Sequence, residues 1–285
     1  MRRKSGICGR IRCRTSEGTV ITDKKGTHKM KQKVTAKVLS QREIAPNIFD
    51  MWIATKLARQ ALPGQFICVY PKNKSTILPR PISICEVAED KEALRIVYRI
   101  AGQGTNEFSA YQAGESIEIL GTLGNGFPVK EGEGKKVFLM GGGIGVPPIL
   151  QLAKEMHGDK QIIVGYRDNS MFLKEDLEKN GTVYVATEDG SAGTKGNVMN
   201  AIEENGLDAE VIFACGPMPM LRAIKRYAQE KGIPAYISLE EHMACGVGAC
   251  LGCVVKTKEI DHHSHVHNAR ICTDGPVFEA ADVEI

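Results

Sequence analysis

Nine cysteines punctuate this chain, at positions 8, 13, 68, 85, 215, 245, 250, 253 and 272. Four of them stand apart. Cys245, Cys250 and Cys253 fall in MACGVGACLGCVV, and Cys272 follows in RICTDGPVF. The resulting spacing, C-x4-C-x2-C-x18-C, is that of a plant-type [2Fe–2S] site. Iron in such a site takes soft thiolates, two to each metal. Gly246, Gly248 and Gly252 lack a Cβ, so the backbone can wrap closely and aim N–H groups at sulfur. A four-cysteine zinc site is the alternative. Zinc sites usually pair one C-x2-C with another, whereas the second half here holds a single cysteine. The segment DHHSHVH brings His262, His263, His265 and His267 between the third and fourth cysteines. A Rieske site would use two histidines in place of two cysteines, and four cysteines are present, so this polar stretch reads as a solvated loop. The odd cysteine count, with no secretory run, argues against a disulfide framework.

Other stretches could hold nucleotides. GGGIGVPP (141–148) lies where an apolar run gives way to a helical pattern. Glycines there let phosphates approach the backbone, and a helix N-terminus favours negative charge. The spacing is not G-x-G-x-x-G, so a plain tight turn competes. ACGPMPML (214–221) also follows an apolar run and opens a helical pattern, which aims Cys215 at the same crevice. A buried structural cysteine is the bland reading. In RPIS (80–83), Arg80 could pair with a phosphate and Ser83 could offer a hydroxyl to a ring nitrogen. In YRIAGQGT (98–105), a flexible loop could present N–H groups to a pyrophosphate. By themselves, these two read rather as a surface arginine and a hairpin loop.

Two kinds of scaffold would carry these groups. Residues 33–43 alternate apolar and polar, and 48–54, 65–70, 81–87, 94–100 and 115–120 continue as short strands with turn residues between them. That pattern predicts a small antiparallel barrel or sandwich. After the charged linker KEGEGK (130–135) the rhythm changes. VFLM, IIVGYR, TVYVATED and EVIFACG alternate with helical stretches such as ILQLAKEMHG and MLRAIKRYAQEKG, as in a parallel sheet with helical crossovers. The expected divisions are a disordered basic leader at 1–32, a barrel at 33–132, an α/β domain at 133–234 and a cluster segment at 235–285.

Charge narrows the classes. Of 285 residues, 42% are hydrophobic and 25% charged, ordinary for a globular protein. The formal charge of +3 conceals a leader (1–29) at +7 and a remainder at −4. The body carries no nucleic-acid footprint, and no run is long enough to span a membrane. The leader reads as a basic arm, a disordered tail, or residues upstream of a start at Met30.

Taken in order, R-P-x-S, Y-R…G-x-G-T, G-G-G-I-G-V-P-P, C-G-P-M-P-M and the cysteine set closely resemble the ferredoxin–NADP reductase superfamily. Within it, residues 33–285 are similar to the electron-transfer subunits of two-component, NAD-dependent dihydroorotate dehydrogenases. The resemblance is most specific in EEHMACGVGACLGCVVK and RICTDGPVF. It implies a FAD-binding β-barrel, a Rossmann-like NAD-binding domain and a C-terminal [2Fe–2S] segment. It implies FAD contacts from Arg80, Pro81, Ile82, Ser83, Tyr98, Arg99, Ile100, Gly104 and Thr105. Gly142, Gly143, Ile144, Gly145 and Val146, with Cys215, Gly216, Pro217 and Met218, would frame the nicotinamide nucleotide. Cys245, Cys250, Cys253 and Cys272 would bind the cluster. No side-chain acid or base is expected, because the cofactors carry the chemistry.

The resemblance also implies a cytoplasmic partner, an FMN-containing subunit that oxidises dihydroorotate in pyrimidine biosynthesis, in a 2:2 heterotetramer. Neighbouring readings stay open. One is the flavin and iron–sulfur NAD(P)H subunit of a ferredoxin transhydrogenase or sulfide dehydrogenase, which tends to carry Asp where this chain has Cys245. Others are an oxygenase reductase and a zinc-stabilised binding module. For the nucleotide, Arg167 could meet a 2′-phosphate, whereas the adjacent Asp168 opposes one.

Overall fold

The computed structural model describes residues 31–260 and 266–285, and the backbone of two short leader strands. These strands, β1 (Arg14–Thr15) and β2 (Gly18–Thr19), pair antiparallel. The rest of the basic leader, and His262, His263 and His265, lie outside the described residues. His267 is described and exposed.

Six strands follow: β3 (Gln32–Ala45), β4 (Ile48–Ala54), β5 (Phe66–Tyr70), β6 (Arg80–Val87), β7 (Ala93–Arg99) and β8 (Ser116–Leu123). They close into an antiparallel barrel in the order β3-β4-β7-β6-β5-β8, so every predicted strand of the first half is present. Alternation along β3 buries Ala36 and Val38 and leaves Lys37 and Leu39 outside, the period-two pattern of a half-buried strand. Inside the barrel Met51, Ile53, Ile67, Ile84, Leu94, Ile96, Ile117 and Ile119 are fully buried. A short helix, α1 (Gln103–Ser109), stands where a flexible loop was expected. The hydroxyl of Thr105 accepts from the N–H groups of Ala101 (2.8 Å) and Gly102 (3.2 Å), which fastens the entry to that helix.

Beyond the linker come β9 (Lys136–Gly142), α2 (Pro147–Glu155), β10 (Asp159–Tyr166), α3 (Lys174–Glu178), β11 (Thr182–Thr187), β12 (Thr194–Lys195), α4 (Val198–Glu204), β13 (Val211–Cys215), α5 (Met218–Lys231) and β14 (Ala235–Ser238). The sheet order is β12-β11-β10-β9-β13-β14-β17, parallel throughout except for the last strand, β17 (Val277–Glu279). Between these last two, β15 (Val254–Lys256) and β16 (Asn268–Arg270) pair antiparallel. The sheet therefore continues through Ala235–Ser238 and takes its edge from Val277–Glu279, on either side of the cysteine-rich loops. The continuous apolar runs of β9, β10 and β13 are buried, as strands covered on both faces should be.

A buried ion cluster joins barrel to sheet domain. Arg95 grips Asp50 through Nε (2.9 Å) and Nη2 (2.9 Å), and its Nη1 reaches Glu86 (2.9 Å) and Asp176 of α3 (2.9 Å). Lys154 of α2 reaches Glu86 at 2.8 Å, and the Gln151 side chain accepts from the Val87 N–H at 2.8 Å. Among the described residues, no helix is long and apolar enough to cross a membrane.

Candidate active site and cluster loops

The cluster cysteines converge through pairing that the linear spacing does not reveal. β15 and β16 align Val254 with Arg270, and the Ile271 N–H donates to the Cys253 carbonyl at 2.7 Å. This closes the 18-residue gap and sets Cys272 beside Cys253. Gly246 (φ 65°) and Gly248 (φ 76°) turn the first loop through left-handed backbone that a side chain would resist. The turn aims N–H groups at sulfur: Val247 (3.4 Å) and Ala249 (3.3 Å) at Cys245 Sγ, and Gly248 at Cys272 Sγ (3.1 Å).

The four thiols neighbour one another in two pairs, Cys245 with Cys250 and Cys253 with Cys272. Among the described residues, no three His, Cys, Asp or Glu side chains converge as a single-ion site. Two pairs suit a two-iron cluster, in which each metal takes two thiolates. Burial works against ionisation of Cys245, but N–H donors from Val247, Cys250 and Ala249 and the Cys250 thiol hold it down to about 7. Burial and the Cys253 thiol push Cys272 up to about 12. Metal ligation requires both as thiolates and would release those protons. Lys31, which the sequence did not single out, lies beside the set; burial lowers its ammonium, and the charges of Cys272 and Cys245 oppose that. The donor set, the N–H groups aimed at sulfur and the glycine turns all fit a [2Fe–2S] cluster. Cys250 is exposed, and so are the apolar side chains of Leu251 (55% exposed), Val254, Ile260 and Val266 in this segment.

On the barrel, Arg80 and Gly104 meet although 24 positions apart in sequence. A Cβ on Gly104 would lie 2.8 Å from Arg80 Nε, so a side chain there would push the guanidinium away from the start of α1. Arg80 also donates to the Leu78 carbonyl. Pro81, Ile82 and Ser83 are half-buried, and Arg99 is exposed. Tyr98 is placed otherwise: its ring is buried in the barrel core, stacked on Phe49, with its hydroxyl donating to Gln41 at 2.8 Å. Only its backbone is left for the groove. The Ile100 N–H is taken by Asn47. The Thr105 hydroxyl is engaged in its own turn.

The two glycine turns expected to frame a nicotinamide nucleotide lie at the carboxyl ends of adjacent strands, where open α/β sheets bind ligands. Cys215 of β13 stands opposite Gly141 of β9, so the two glycine turns touch. A Cβ on Gly145 would overlap the Cys215 carbonyl, and Gly142 and Gly216 both approach the Met220 sulfur. Gly143 takes φ 52°, and Ile144 is half-buried beside it. Val146 faces the core instead. Pro217 and Met218 open α5 at the mouth of the crevice. Burial pushes the Cys215 thiol well up, so it stays protonated. Glu240, absent from the sequence expectations, lies just past β14. The residue is exposed, yet desolvation by the surrounding chain raises its carboxyl, against the pull of Arg99. No motif marks it; only the pairing of Ser238 with Cys215 brings it there.

Residues 240–284 match the family model for the iron–sulfur cluster binding domain of dihydroorotate dehydrogenase B. A relative in Bacillus cereus (strain G9842), the electron transfer subunit of dihydroorotate dehydrogenase B (NAD(+)), is 42% identical over 262 residues, covering 89% of this chain and 99% of the relative. The chain belongs to this family of electron transfer subunits. Membership accounts for the joined barrel, parallel sheet and cysteine loops in one chain. The fold is likewise similar to the solved structure of the NADH-dependent reduced ferredoxin-NADP oxidoreductase, studied for flavin-based electron bifurcation (TM-score 0.76, 27% identity, 87% of this chain and 89% of that one). The barrel and sheet also match a ferredoxin NADP+ reductase from Neisseria gonorrhoeae with bound FAD and NADP (TM-score 0.59, 17% identity, 74% and 95% covered), a likeness of fold alone.

Proposed function

We propose that this chain carries electrons between a catalytic partner subunit and NAD+, as the electron transfer subunit of a dihydroorotate dehydrogenase. The observation that carries this reading is the set of four thiols, paired two and two on loops between the barrel and the edge of the parallel sheet. When bound, a [2Fe–2S] cluster supplies one-electron steps, FAD links one- and two-electron steps, and NAD+ takes a hydride. The chain's own residues do the placing. Cys245, Cys250, Cys253 and Cys272 would hold iron, with the N–H groups of Val247, Gly248 and Ala249 steadying the sulfurs. Arg80, backed by Gly104, would hold a flavin phosphate, with Pro81, Ile82, Ser83, Arg99 and the backbone of 98–105 completing the groove. The turns at 142–146 and 215–218 would frame the nicotinamide nucleotide between two helix starts.

The working division is a FAD barrel at 33–132, a NAD domain at 133–234 and a cluster segment at 235–285. The partner is the FMN-containing subunit that oxidises dihydroorotate, in a cytoplasmic 2:2 assembly. It would approach at the exposed Cys250, beside which Leu251 is also exposed. Copurification with the FMN subunit under anaerobic conditions, followed by dihydroorotate and NAD+, tests the reading. NADH should form only with both subunits present. A complex that holds FAD and iron yet makes no NADH would redirect the chain to the transhydrogenase reading favoured by the 27% identical structural relative, with ferredoxin and NADPH as the next substrates. Cys245 at the first ligand position supports the dihydroorotate assignment.

A further inference from the structure

The cluster loops do not stand free; both rest on one side of the barrel. In the first loop, a Cβ on Gly246 would lie 2.9 Å from Cys68 Sγ and 3.2 Å from Leu123 Cδ1. Cys68 and Leu123 are fully buried, and they pack in one apolar cluster with Cys253 and Cys272. In the second loop, the Asn125 N–H donates to the Gly275 carbonyl at 2.7 Å. Its side-chain Nδ2 donates to the carbonyls of Thr273 (3.2 Å) and Asp274 (2.9 Å), the residues that directly follow Cys272. Gln65 in turn holds the Gly124 carbonyl at 2.7 Å, which fixes the base of that contact. The strand that supplies Cys68 is paired on its other side with the flavin-groove strand: Cys68 aligns with Pro81, and Phe66 with Ser83. The chain from cluster loop to flavin groove is therefore one side-chain contact followed by one strand pairing.

We infer that Cys68 and Asn125 are positioning residues, a seat on the barrel that fixes both cluster-holding loops against the flavin strand and so sets the rate of electron exchange between cluster and flavin. The inference rests on the cofactor assignment proposed above. Its physical basis is packing. Interiors are close-packed and transmit displacement, so a side chain that fills the seat wrongly moves the loop that bears on it. Electron exchange depends on that separation, whereas hydride transfer at the nicotinamide turns does not.

The test uses the holoprotein, copurified anaerobically with its partner and mixed rapidly with NADH. Flavin bleaching reports hydride transfer, and freeze-quenched EPR reports the reduced cluster. Cys68→Leu adds volume where Gly246 leaves none. It should keep the parent rate of flavin bleaching, the iron content and the EPR line shape, while cluster reduction slows several-fold. Cys68→Ala, which fits the seat without overlap, should return cluster reduction to near the parent rate. Asn125→Ala, on an exposed loop, removes the two side-chain donors and should slow cluster reduction selectively as well. Parent rates of cluster reduction in Cys68→Leu and Asn125→Ala would overturn the inference. So would loss of the cluster from every Cys68 variant with Asn125→Ala at the parent rate. A parent protein without NADH-reducible flavin or a cluster signal would refute the functional reading instead.

Discussion

Replacing Arg95 with Met should open the seam between barrel and sheet domain. Asp50 is 3% exposed and Arg95 is 6% exposed, and their two contacts are both 2.9 Å. Without the guanidinium, Asp50 keeps, among the described residues, a single paired cation, Arg42, at 3.3 Å, whose side chain is 72% exposed. Breaking a buried pair by removing one partner costs about 3–5 kcal/mol, because a charge stays buried without compensation. Glu86 and Asp176 also lose a partner, but they reach water (side chains 16% and 31% exposed) and Glu86 retains Lys154, so they add little. The lower end, about 3 kcal/mol, is therefore expected, a fall of about 6–12 °C in the melting midpoint. Circular dichroism melts of Arg95→Met against the parent measure it. The double variant Arg95→Met/Asp50→Asn removes the stranded charge and should recover part of the loss. A single variant that melts with the parent, or a double variant no more stable than the single, would refute the reasoning.

Four further outcomes are expected. Cys250→Ser should abolish the cluster signal and electron entry from the partner while flavin is retained; partner-dependent NAD+ reduction at the parent rate would sink the proposed route. Arg80→Ala should remove a charged phosphate contact of about 1.5–3 kcal/mol, weakening FAD binding about 10- to 100-fold, and flavin content after gel filtration reads this directly. Gly145→Ala should force the two glycine turns apart at a cost of about 1–3 kcal/mol, slowing flavin reduction by NADH in a stopped-flow trace if they frame the nicotinamide as proposed. Burial raises the Asp176 carboxyl, but hydrogen bonds from Lys179 and Arg95 outweigh it and hold the group below its ordinary 3.8. A carboxylate depressed in the folded state contributes stability above its unfolded value and loses it as pH falls through the folded value. The seam should therefore hold at neutral pH and loosen in acid below 3.8. Trp52, the single tryptophan, lies 5.9 Å from the Arg95 guanidinium, so its emission should shift in that range.

Much of this was legible in one dimension because the signals are local. The alternation along 33–43 requires only that one face of a strand be buried, and β3 buries it. The apolar runs at 137–140 and 211–215 mark strands covered on both faces, and both lie in the parallel sheet. The cysteine spacing names a metal chemistry because ligand count and softness are properties of residue type. Most of the leader and of the histidine segment fall outside the described residues.

Local pattern failed where a role depends on partners far along the chain. Tyr98 reads as part of a flavin strand, yet strand register turns its ring into the core. The loop at 102–105 reads as flexible, but the Thr105 hydroxyl fastens it into the start of a helix. Glu240, Lys31, Cys68 and Asn125 carry no motif. They gained their places from barrel closure and from the ladder that sets Ser238 beside Cys215. The sequence alone determined most element types and the cysteine set, because each follows from residue chemistry and short-range periodicity, whereas FAD and NAD entered only through the family resemblance. Tertiary structure decided which groups face one another across the barrel, sheet and cluster loops, because such contacts depend on register and packing between segments that no local pattern connects.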